Sequence, residues 1–427
     1  MKHDDSKGCR EYESLSRRQF LTDTGKVAFL AATAPAWLPK VSYAQDYVSN
    51  RDVIVSIYLR GGCDGLTMCV PHGDADYYAA RPTLAVPVPE SGPNACVDLN
   101  GFFGLPQHML PLHEAYLNGD LAIVHATGST DPSRSHFDAQ RFMEVGLPGA
   151  SALGTGWLGR HLASVPPVRP DAALRAVGIN YGLPLTLSGG PLSLPIPNLD
   201  AFGMSGYETS RVARSKTLGN IYQTDALLTQ IAYNTQKTIT LLDQIDFAGY
   251  QPSGGAVYPA NGFGTAIKST AALIKADTGV EAVHLDLGGW DTHAAQGVFT
   301  GAMANLMTTL AGSLSAFHKD VFTDYSGKVV VVVVSEFGRV LYENASSGTD
   351  HGHGNVIIVI GHAVNGGTVY SQWPGLKPHQ LFAGRSLEVT IDFRDVLGEV
   401  VSKRLGNPNL DVVFPSYTPT FRGICQA

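Results

Sequence analysis

The residues of this chain best suited to chemistry stand at the ends of apolar runs. Asp64 follows Val53–Leu59, inside Gly61-Gly62-Cys63-Asp64-Gly65. Asp291 and His293 follow Ala282–Leu287, inside Gly288-Gly289-Trp290-Asp291-Thr292-His293. Glu336 follows the valine run Val329–Val334, and Asp350, His351 and His353 lie just before Asn355–Ile360. Carboxylate oxygens and imidazole nitrogens are ligands for divalent zinc, manganese or magnesium. The pairs Asp291-x-His293 and His351-x-His353 point the same way if the backbone is extended. Ser133 and Ser135 precede an expected helix, residues 134–145, whose free N–H groups favour an anion. Arg134 can grip phosphate or sulfate with two hydrogen bonds. A hydroxyl at this point is a nucleophile that a metal can activate, and equally a helix cap.

The elements that must position these groups are legible as periodicity. Val53–Leu59, Leu121–His125, Ala282–Leu287, Val329–Val334 and Asn355–Ile360 read as strands covered on both faces. Helical stretches are expected at about 134–145, 207–246, 261–277, 302–319 and 393–404. Strands alternating with helices predict an α/β fold of three layers, a mostly parallel sheet with helices on both faces. Ligands of such sheets gather at the carboxyl ends of the strands. The glycines beside the polar residues let the backbone turn tightly there.

Composition narrows the rest. The 427 residues are 44% hydrophobic and 16% charged, which excludes a disordered chain. A formal net charge of -7 and no basic block argue against nucleic acid as a partner. No apolar run reaches the ~18–20 residues of a membrane span, so none is expected. Residues 1–44 read as a signal peptide. Ser16-Arg17-Arg18-Gln19-Phe20-Leu21 precedes a short apolar stretch and a small-x-small site at Ser42-Tyr43-Ala44. The paired arginines resemble a twin-arginine signal, which implies the twin-arginine translocation machinery as a partner and a periplasmic or extracellular destination. Residues 45–427 then form one domain, with a helical insertion or lid at about 205–278. Beyond the signal remain Cys63, Cys69, Cys96 and Cys425, for which export permits disulfides and three pairings are possible. No G-x-G-x-x-G turn supports a dinucleotide-dependent oxidoreductase.

Leu59-Arg60-Gly61-Gly62-Cys63-Asp64-Gly65-Leu66, Pro132-Ser133-Arg134-Ser135-His136-Phe137 and Gly289-Trp290-Asp291-Thr292-His293 resemble the DUF1501 family. So do Ser335-Glu336-Phe337-Gly338-Arg339, Gly348-Thr349-Asp350-His351-Gly352-His353-Gly354 and Asp392-Phe393-Arg394-Asp395-Val396, in order along nearly the whole mature chain. That family is similar to the alkaline phosphatase-like superfamily, which includes sulfatases. The resemblance implies an alkaline phosphatase-like fold and a hydrolase of anionic phosphate or sulfate esters. It implies one or two divalent ions (zinc, manganese, magnesium or calcium) held by Asp64, Asp291, His293, Glu336, Asp350, His351 and His353. Thr130 takes the position of the sulfatase cysteine in Thr130-Asp131-Pro132-Ser133-Arg134, so Thr130, Ser133 and Ser135 all stand as nucleophiles, with Arg134 on the equatorial oxygens. Phe337 falls where a ligand is expected, and Cys63 where the family has Asn. A non-catalytic binding protein with a degenerate metal site is the alternative reading, and oligomeric state is left open.

Overall fold

The computed structural model describes residues 51–203, 226–325 and 329–426, together with Ser210, Arg214 and Thr217. The expected signal, residues 1–44, lies outside these residues, as does most of 205–225.

Nine strands form the main sheet. In chain order they are β1 (Val53–Leu59), β2 (Leu121–Gly128), β3 (Ala176–Ile179), β4 (Ser193–Pro195), β5 (Ala282–Leu287), β6 (Val329–Ser335), β7 (Asn355–Ile360), β8 (Thr368–Tyr370) and β9 (Ile391–Asp392). The order across the sheet is β8-β2-β7-β6-β1-β5-β3-β4, with β9 also paired to β2. β1 lies in the middle, parallel to β5 on one side and β6 on the other. β7 is antiparallel to both neighbours, β2 and β6. It is the one strand of the nine that runs against the rest, so its beginning lies at the edge where its neighbours end.

The strands are apolar on both faces because both are covered. Val55, Ile57, Val331 and Val333 pack on one side with α4 (Gly262–Lys275) and α5 (Ala302–Asp324). Ile54, Tyr58, Val330 and Val332 pack on the other with α1 (His136–Val145), α2 (Trp157–Ser164) and α6 (Phe393–Lys403). This is the three-layer α/β fold expected. Helix α3 (Ala226–Leu242) precedes α4, and Leu242 and Ile267 of this pair enter the first core. The short strands β3, β4, β8 and β9 escape sequence reading because two to four residues show no period. No described helix is long and apolar enough to cross a membrane. Cys63, Cys69, Cys96 and Cys425 are free, buried thiols.

Two histidines buried in this core lower its stability in acid. Burial pulls His125 down to about 4, against its contact with the Cys69 carbonyl, and pulls His161 down to about 3, helped by Arg51 and Arg175. Both are neutral in the fold and charged in the unfolded chain below about 6.5. The unfolded chain therefore binds more protons, and stability falls as pH drops from about 6.5 to about 4, by on the order of 3 kcal/mol per histidine. Urea midpoints with chelator present should fall across this range. The fall should be smaller in His161→Gln, which keeps an acceptor for Asn407; an equal fall would remove His161 as a cause.

Candidate metal centre

The polar loops meet at the carboxyl edge of the parallel strands. After β1, Gly61 and Gly62 adopt φ of +117° and +68°. A Cβ on Gly61 would lie 2.6 Å from the Asp291 nitrogen, and one on Gly62 2.5 Å from the Phe337 ring. Only glycine lets this loop press against those after β5 and β6. Arg339, fully buried, stitches the three together. Its guanidinium donates to the carbonyls of Gly61, Gly62, Trp290 and Thr349 and to Asp291 Oδ1 (2.7 Å).

Inside this frame three ligand atoms converge, one each from His136, Asp291 and His351. His136 Nε2 lies 2.9 Å from His351 Nε2 and 3.4 Å from Asp291 Oδ1. His351 Nε2 lies 3.1 Å from the same oxygen. His293 approaches from the open side, its Nε2 2.9 Å from His351 Nε2 and 3.0 Å from Asp291 Oδ1. The other nitrogen of each ring faces an acceptor. His136 Nδ1 meets Glu336 Oε1 at 2.8 Å, His351 Nδ1 meets the Arg134 carbonyl at 2.9 Å, and His293 Nδ1 meets Asp350 Oδ1 at 3.1 Å.

These acceptors draw the protons to Nδ1 and turn the Nε2 lone pairs toward one another. Lone pairs 2.9 Å apart repel unless a cation lies among them. Ligands ~2.0–2.2 Å from a tetrahedral zinc stand roughly 3.3–3.6 Å apart, close to the spacing observed. The donor set therefore fits a divalent metal ion, and two imidazoles in the group, with that of His293 beside it, favour a first-row transition ion over magnesium or calcium. A proton competes for the same place. Burial opposes charge on His136, but Asp291 and Glu336 outweigh it and push the ring up to about 9. Burial likewise opposes the Asp291 carboxylate, yet the three histidines and Arg339 hold it far below the usual range. Phe337, at an expected ligand position, packs its ring 4.9 Å from that of His136 and 5.0 Å from that of His351, forming the apolar wall behind them.

The expected residues divide. Asp291, His293 and His351 come together. Glu336 and Asp350 stand behind His136 and His293 as hydrogen-bond acceptors rather than in the ligand group. His353 is buried and stacks on Phe382 with ring centroids 3.9 Å apart; burial lowers it to about 4. Asp64 is fully buried and bound by Arg81, Thr67 and Gln296 instead of joining the cluster. Ser133 serves its turn: its N–H donates to Asp131 and its Oγ accepts from the Ser135 N–H. Ser135 opens α1 beside His136 without a side-chain capping bond. Thr130 is exposed, and Arg134 half-buried.

His136 is the member of this group that the sequence did not reveal. The available signal was His136, Gln140 and Glu144 at i, i+4 and i+8, a polar stripe on one helix face. Gln140 Nε2 donates to Glu336 Oε1 (2.9 Å), and Glu144 pairs with Arg60 (2.9 Å). Because Glu336 fixes the His136 ring, Glu336→Gln should weaken zinc binding about 10–100-fold. Chelator competition checks this; an unchanged affinity would show that Glu336 does not orient the ring.

The fold and site define a three-layer α/β protein with a preformed His/Asp centre. Residues 258–406 match the family model described as Protein of unknown function (DUF1501), the family the motifs resemble. This segment contains Asp291, His293, Glu336 and His351 but not His136. No curated protein sequence matches. Solved structures similar to the chain include alkaline phosphatase from the Antarctic bacterium TAB5, at 8% identity and TM-score 0.30, covering 76% of this chain and 95% of that one. Another is the C-terminal periplasmic domain of EcEptC from Escherichia coli in complex with Zn, at 11% identity and TM-score 0.37, covering 90% and 92%. A third is phosphonate monoester hydrolase of Agrobacterium radiobacter, at 10% identity and TM-score 0.30, covering 87% and 79%.

Proposed function

We propose that the protein is an exported, metal-dependent hydrolase of phosphate or sulfate esters. The observation that carries this is the convergence of His136, Asp291 and His351, with an acceptor on each Nδ1, beside the hydroxyl-bearing turn 133–135. A divalent ion in such a centre supplies Lewis-acid stabilisation of charge on a phosphoryl or sulfuryl oxygen. The chain supplies the rest. Ser135, at the helix N-terminus, attacks the ester centre, its proton passing to solvent as the ester oxygen leaves with its electron pair; water then releases the bound anion. Arg134 binds the equatorial oxygens, and its backbone carbonyl fixes His351. Asp291 and His351 are part-exposed at their side chains, which leaves the centre open to a substrate. Export is supported by the paired arginines of Ser16-Arg17-Arg18-Gln19-Phe20-Leu21.

The test is metal analysis of the purified mature chain with a panel of aryl phosphate and aryl sulfate esters. Bound zinc or manganese and turnover that disappears in Asp291→Asn and in Ser135→Ala are expected. A chain that is metal-free and inert on every ester after reconstitution would instead be a non-catalytic binding protein.

A further inference from the structure

We propose that Arg81 serves Asp64 as a built-in cation, so that the centre holds one divalent ion per chain rather than two. This rests on the metal-centre reading above and narrows it.

A carboxylate offers about four lone-pair sites. Four donors of the chain already occupy Asp64. Oδ2 receives Arg81 Nη1 at 2.6 Å, Thr67 Oγ1 at 2.7 Å and Gln296 Nε2 at 2.7 Å, and Oδ1 receives Arg81 Nη2 at 3.0 Å. Neither partner is exposed at all. Arg81 is itself fixed, donating to the carbonyls of Leu341 (2.7 Å) and Val340 (3.0 Å). A guanidinium stays charged at every physiological pH, so this cation never leaves.

Two other carboxylates of this edge are also satisfied. Glu336 receives Gly61 N–H, Gln140, His136 and Ser335. Asp286, at the end of β5, receives Arg60 and Asn180. Among the described residues only His136, Asp291 and His351 form a group able to hold an ion. Asp64 instead braces that group from behind. Gln296, its donor, accepts from Thr292 (3.1 Å) and Thr349 (2.7 Å), the neighbours of Asp291 and Asp350.

Zinc content and isothermal titration of the mature wild-type chain should give one zinc per chain. The double substitution Asp64→Asn with Arg81→Met removes both charges together. If the variant is folded by circular dichroism, it should still take one zinc, with affinity within about tenfold. Two zinc ions per wild-type chain would overturn the proposal, a result that needs no variant. So would a folded double variant whose zinc affinity falls a thousandfold. A wild-type chain that takes up neither zinc nor manganese would overturn the functional reading and this one with it, whereas two ions would overturn this one alone.

Discussion

His351→Ala should lower zinc affinity about 100- to 1,000-fold. His351 Nε2 is the hub of the centre, 2.9 Å from the Nε2 of both His136 and His293 and 3.1 Å from Asp291 Oδ1. A structural zinc site contributes ~10–16 kcal/mol in all, so losing one of its few ligands costs on the order of 3–4 kcal/mol. The readout need not be activity. An ion bound only by the folded chain adds about 4 kcal/mol of stability at a thousand times its dissociation constant. Zinc should therefore raise the melting temperature of the wild-type chain, and raise that of His351→Ala by no more than about a third as much at the same concentration. An equal rise in both would mean that zinc binds elsewhere.

Arg339→Lys should destabilise the fold by about 2–6 kcal/mol, since a buried acceptor left without its donor costs ~1–3 kcal/mol and at least two are left so. The guanidinium serves four carbonyls and Asp291 without solvent exposure. A lysine ammonium has three donors and no planar fork, so at least two buried acceptors lose their partner. Those carbonyls belong to the loops after β1 and β5 and to the loop before β7, so the ligand frame should loosen too. Urea midpoints measure the first effect and chelator competition the second. A stability change below about 1 kcal/mol would show that water replaces the guanidinium and that the loops hold without it.

Asp64 and His136 mark where reading by residue type stops. An Asp after a strand, among glycines, reads as a ligand, but its role depends on which donors face it. Arg81 comes from a segment without period, and nothing local announces that it turns inward. His136 reads as one polar residue of an amphipathic helix, until the helix is set over the sheet edge and the ring meets His351.

The sequence by itself determined the five longer strands, most of the helices and the polar character of one sheet edge. These follow from local patterns: apolar runs need cover on both faces, helical spacing makes a buried stripe, and glycines allow the turns between. The tertiary structure alone decided which polar groups share a point in space. Segment 349–353 reaches the edge at the start rather than the end of a strand because β7 runs against its neighbours, and a run of apolar residues carries no sign of its direction. The partition of carboxylates into histidine-cluster member, histidine support and arginine partner was likewise decided by distances of about 3 Å between residues far apart in the chain. Hydrogen bonds and charge pairs are short-ranged, so only the packed fold could assign them.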